Sequence, residues 1–126
     1  VEPDLIEWAN NHLPGALQIS SKGSVCGGLE LFRIAESIRG VRSPTVPDID
    51  FPHGPNDDKL EGLFRLFDFL LDNDVKMGAI SINDVRQGKR DKIIQLLKAL
   101  RAWEEKRNAV LQSIGQSSVH AGPFVG

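Results

Sequence analysis

The spacing of apolar residues along this chain predicts helices and no strands. Leu5, Ile6, Ala9 and Leu13 recur at helical intervals up to Pro14-Gly15, which is the pattern of one buried helical stripe. Pro3 stands at the start, where a helix tolerates a residue without an N–H. A second stripe, Leu31, Ile34, Ala35 and Ile38, has Ser24 upstream as its expected N-cap and Gly40 where a left-handed C-terminal cap belongs. Gly27 and Gly28 each cost about 1 kcal/mol of helix propensity against Ala, which is tolerable where another backbone packs closely.

Residues 41–55 hold four prolines and no period, and read as a long connection laid over the surface. Asn56 or Asp57 is the expected cap of a third helix, with Leu60, Leu63, Phe64, Phe67, Leu70 and Leu71 as its apolar set and Asn73-Asp74 as its end. Ser81 followed by Asp84 forms a capping box, with Asp in place of Glu, for a short helix from Ile82 to about Gly88. The last helix is predicted from Arg90 past Trp103 to about Ser113. Ile93, Ile94, Leu97 and Leu100 face inward, and Lys98 and Arg101 share a polar face. Residues 114–126 are Gly/Ser-rich and aperiodic and read as a flexible linker. One domain over residues 1–113 is therefore expected, all-α, with four main helices plus short connecting ones.

The 126 residues suffice for one core without disulfide or metal staples. The net charge of -2 disfavours nucleic acid as a partner, but charge is unevenly spread. From Arg86 to Arg107 there are eight Lys/Arg and three Asp/Glu, a local excess of +5; from Pro44 to Asp74 there are eight Asp/Glu and two Lys/Arg, a local excess of -6. The single Cys26 suits a reducing, cytoplasmic setting, and no apolar run approaches the length of a membrane span. The start Val1-Glu2-Pro3 does not resemble a secretory signal, and without an initiator Met the chain reads as a piece of a longer protein.

Little here points to chemistry. His12, His53 and His120 are scattered, and Cys26 has no CxxC partner. Gly23, Gly27 and Gly28 make no phosphate loop. The acidic run Asp48, Asp50, His53, Asp57 and Asp58 lacks calcium-loop spacing and is broken by prolines, so it reads as solvated. Ser43-Pro44 reads as a turn, and Phe64, Phe67 and Phe69 as core. The expectation is a non-enzyme with no catalytic, cofactor or metal residue.

Three blocks, in order, resemble the calponin-homology domain. Trp8-Ala9-Asn10-Asn11-His12-Leu13 is similar to that family's W-x-N-x-x-L. Leu31-Phe32-Arg33-Ile34-Ala35-Glu36-Ser37-Ile38-Arg39-Gly40 is similar to its L-x-[KR]-L-[LI]-E-x-[LI]-x-G helix. Ile80-Ser81-Ile82-Asn83-Asp84-Val85-Arg86-Gln87-Gly88 is similar to its I-S-x-x-D-[IL]-V-x-G. Phe69-Leu70 and Val75 fit between the second and third. The chain departs from the pattern at Gly27-Gly28, where the family has Asp-Gly, at Gly62, where it has Asn, and at Lys98, where it has Trp; Trp103 is the nearest replacement for that lost aromatic volume.

The resemblance implies a calponin-homology-like bundle present as a single copy, monomeric as an isolated domain, from a larger cytoskeletal or signalling protein. It implies a non-catalytic role in binding protein, with filamentous actin the first expectation. The candidate contacts are Glu7, Asn10 and Asn11 on the first helix and Lys98 and Arg101 on the last. A signalling or scaffold adaptor is the alternative reading. A third is microtubule binding through a basic face of Arg86, Lys89 and Arg90 together with Lys98 and Arg101.

Overall fold

The computed structural model describes residues 3–19, 27–40, 47–52, 57 and 59–121, with side chains of the last helix through 113. Among these residues the chain is all-helical: α1 (Pro3–Asn11), α2 (Gly28–Arg39), α3 (Glu61–Asp72), α4 (Ile82–Arg86) and α5 (Arg90–Ala121), with two 3-10 turns at Gly15–Leu17 and Asp48–Asp50. No helix among them is long and apolar enough to cross a membrane. Leu5, Leu31, Phe32, Ile34, Leu63, Leu66, Leu70, Ile93, Leu96, Leu97 and Leu100 are fully buried in one core shared by α1, α2, α3 and α5.

Local chemistry sets the helix ends. α1 starts at Pro3. Gly40 adopts φ 81°, ψ 16° and its N–H returns to the Glu36 carbonyl, closing α2 with the left-handed cap that favours glycine. α4 starts on a reciprocal box: Asp84 N–H donates to Ser81 Oγ at 3.1 Å, and Ser81 N–H donates to Asp84 Oδ2 at 3.0 Å. Asn73 ends α3, its side-chain amide donating to the Phe69 carbonyl at 2.8 Å.

α2 begins at Gly28 with Gly27 as N-cap, and Glu30 accepts the Gly27 N–H at 3.0 Å from inside the helix; the expected cap, Ser24, lies outside the described residues. Asp57 accepts the Lys59 N–H at 2.9 Å in a local turn, and α3 starts only after Leu60. Cys26, Ser43, Pro44, His53, Asn56 and Asp58, and the side chain of His120, lie outside the described residues.

The apolar face of α3 is rotated from the expected one. Leu63, Leu66, Phe67 and Leu70 are buried, whereas Phe64 and Leu71 are exposed. The buried set follows the i, i+3, i+4, i+7 stripe, and the two exposed residues belong to a second apolar stripe on the solvent side. On α5, Leu96 joins Ile93, Leu97 and Leu100 in the core, while Ile94 is only partly buried. The expected end near Ser113 is also passed: α5 continues to Ala121. The sequence holds no proline in this stretch until Pro123, the first residue that cannot donate an intrahelical N–H.

The proline-rich connection is more than a surface loop. Phe51 is 2% exposed and packs on Phe32, with ring centroids 5.8 Å apart. Its ring occupies space that two glycines leave open. A Cβ at Gly62 would lie 2.7 Å from Phe51 ring carbons, and one at Gly28 would collide with Leu63 and crowd Phe51. The glycines at the points of departure thus seat an aromatic plug between α2 and α3; the close neighbours are side chains, not a second backbone. The aromatic row continues from Phe32 to Phe69 (5.8 Å) and from Phe69 to Trp103 (6.3 Å), both edge-on.

Two stability predictions follow from this packing. Gly62→Ala should destabilise by about 1–3 kcal/mol, because the Phe51 ring is held and cannot yield without strain. Phe67→Ala should cost about 3–5 kcal/mol, whereas Phe64→Ala should cost under about 1 kcal/mol. Denaturant midpoints of the three variants check both; equal losses at positions 64 and 67 would reverse the assigned face of α3.

Candidate functional site

The sequence-derived contact residues on α1 divide into two kinds. Glu7 and Asn11 are exposed. Asn10 is committed to the fold: its Oδ1 accepts the Ile19 N–H at 2.7 Å, and its Nδ2 donates to the Ile19 carbonyl at 3.0 Å. Gln18 adds donations at 2.9 Å to the carbonyls of Asn10 and Leu13. This double clamp folds the segment after α1 back along the helix and lets buried Ile19 close that side of the core. Asn10 is therefore a positioning group rather than a free contact. Glu7, Asn11, Ile6, Gln18 and Ile19 border an open depression of about 560 Å³.

A polar staple fixes α1 against α5 and α2. The Trp8 indole N–H donates to Glu104 Oε1 at 2.7 Å, and His12 Nε2 meets Glu104 Oε2 at 2.6 Å. The other ring nitrogen, Nδ1, lies 2.8 Å from Ser37 Oγ on α2. Trp8 and His12 stack edge-to-face at 5.2 Å. Ser, His and a carboxylate in line have the composition of a nucleophilic triad. Here, however, Nδ1 faces the hydroxyl and Nε2 the carboxylate, and the carboxylate is shared with the indole. The arrangement works as a three-helix tie. Only the i, i+4 spacing of Trp8 and His12 hinted at it in the sequence; Glu104 lies 96 residues from Trp8.

The candidates on α5 precede Glu104 along the helix. Lys98 is exposed and Arg101 half-buried, and Arg101 sits one helical turn before Glu104. The cations of the alternative basic face cluster at the α4–α5 corner, but with local partners. Arg86 donates Nε and Nη2 to Asn83 Oδ1 at 3.2 and 3.0 Å. Lys89 Nζ lies 3.0 Å from Asp84 Oδ1. Arg90 is exposed at the first position of α5.

The acidic run also gains a role. Arg33 on α2 donates to buried Glu36 at 2.8 Å and to Asp48 at 2.7 Å. Partial burial opposes the guanidinium charge, and the hydrogen bonds to Asp48 and Glu36 outweigh it, so the pKa is raised. Asp48 is thus a latch for the segment carrying Phe51, not merely solvated. The Arg33–Glu36 pairing has i, i+3 spacing; its second carboxylate came from an aperiodic loop. Among the described residues no group of three His, Cys, Asp or Glu is placed to hold a metal ion.

The Asp84 carboxyl is lowered from 3.8 to about 2, first by the Ser81 backbone N–H and then by Lys89. Because the folded carboxyl binds its proton more weakly than the unfolded one, its contribution is complete above about pH 4 and fades as pH falls towards 2. Asp84→Asn should therefore be less stable than the parent at pH 7 and lose less stability between about pH 4 and 2. Urea midpoints across that window check this, and parallel acid profiles would refute it. No family model, curated protein or solved structure matches this chain.

Proposed function

We propose that this chain is a non-catalytic protein-binding module of the calponin-homology kind, with filamentous actin as its partner. The observation that carries this reading is the condition of α1. Its outward residues Glu7 and Asn11 are exposed beside an open depression, while Trp8 and Asn10 on the same helix, and His12 just after it, are fixed by polar contacts. A helix held this firmly presents its free side in one orientation, so little ordering entropy is lost on docking. Arg101, a turn from Glu104, and Lys98 beyond it add positive charge for an acidic filament. The three motif blocks support the same reading, since Trp8, the α2 stripe and the Ser81–Asp84 box each hold a packing or capping position in one bundle. The microtubule alternative has weaker support, because Arg86 and Lys89 are already engaged with Asn83 and Asp84.

Co-sedimentation with actin filaments is the test. The chain should pellet with filaments at about 10–50 µM, and a Glu7→Ala/Asn11→Ala double variant should bind several-fold more weakly with an unchanged unfolding midpoint. Absence of the wild-type chain from the pellet at these concentrations would remove the actin reading for this domain.

A further inference from the structure

Two apolar stripes remain uncovered, and their charges are opposite. On α3, Phe64 is 46% exposed and Leu71 62% exposed, one heptad apart on the same face. Asp68 stands between them and Asp72 beside Leu71, both exposed and outside every ion pair of the described residues. The other two charges of this face, Glu61 and Arg65, pair with each other at 3.3 Å. The ridge is therefore apolar, acidic, apolar.

On α5, the helix runs on past the core. After Glu104, every described position except Arg107 is exposed. Val110 (50%) and Leu111 (51%) follow half-buried Trp103, and Trp103 and Val110 are again one heptad apart. Lys106 and Arg107 lie between them; among the described residues neither is in an ion pair, and Arg107 donates to the Arg39 carbonyl at 3.2 Å. With Asn73 and Asp74 these residues line an open groove of about 300 Å³. The order of its α5 wall is apolar, basic, apolar.

The two patterns match in length as well as sign. Seven residues of helix rise about 10.5 Å, so Phe64 and Leu71 can meet Trp103 and Val110 while Asp68 and Asp72 face Lys106 and Arg107. Within one molecule the ridge cannot reach the groove, because Phe69 and Asn73, on a different face of α3, are the residues turned towards it. We infer that the occupant of the groove is the α3 ridge of a second copy of this chain, giving a weak head-to-tail contact. The contact is small, one helix against another, which places it at the transient end of protein interfaces and leaves the dilute chain monomeric. Since the two surfaces differ, the contact is heterologous and leaves a free ridge and a free groove on every pair. This is independent of filament binding, which uses Glu7 and Asn11.

Sedimentation equilibrium of the 126-residue chain tests it. Between about 20 µM and 1 mM at low salt the average mass should rise past that of a dimer, and about 0.5 M salt should weaken association several-fold. Leu71→Glu and Val110→Glu replace exposed residues with a good helix former of the ridge's own sign. Each variant alone should lose association about tenfold or more, yet the two mixed should form dimers and nothing larger, because each retains the surface the other lacks. A wild-type chain that stays monomeric at about 1 mM would overturn the inference. So would either variant associating like the parent, as a symmetric α3–α3 or α5–α5 contact requires, or a mixture that fails to pair.

Discussion

The fold depends on one steric arrangement, the seating of the Phe51 ring between α2 and α3. Helices of ordinary composition pack with their axes about 8–10 Å apart, a separation set by the side chains between them. Here Gly28 and Gly62 remove the Cβ atoms that would stand in the ring's place. The ring closes the space they leave and touches Phe32, which passes the packing on through Phe69 to Trp103. The propensity lost at two glycines is offset by burying one large aromatic side chain. The latch of Asp48 on Arg33 belongs to the same device, because it fixes the turn from which Phe51 enters.

A second kind of order comes from polar groups whose partners lie on other elements. Glu104 serves Trp8 and His12 together, and His12 reaches on to Ser37, so three helices meet at one imidazole. Asn10 and Gln18 do the same for the segment that follows α1. Such ties add modest free energy each, but they are directional, and apolar contact alone does not fix rotation or register. The sides of α1 left over by these commitments are the ones available to a partner.

Much of the helical content was legible because it rests on local rules. Pro3, Gly40, Asn73 and the Ser81–Asp84 box mark ends by chemistry acting over a few residues. The face of α3 was misread because Phe64 and Leu71 form an apolar stripe of their own, and periodicity identifies stripes without saying which one meets the core. Asp57 satisfies the composition of a cap, but its carboxylate closes a local turn onto the Lys59 N–H, and α3 starts only after Leu60. Of the candidate binding residues, Glu7 and Asn11 are exposed as expected, while the commitment of Asn10 to Ile19 could not be seen without the returning chain. Glu104 was illegible for the same reason: nothing local pairs a tryptophan with a carboxylate 96 residues away.

That separation governs the order in which the molecule can assemble. α3 and α4 find one another across a short connection, and the α4–α5 corner needs only the turn at Gly88, with φ 69°. α1 instead waits for a helix at the far end of the chain, and the entropy of closing so large a loop is repaid only once Glu104 is in place. The docking of α1 on α5 thus closes a loop of 96 residues. A partner that grips α1 would act as a clasp on the closed chain.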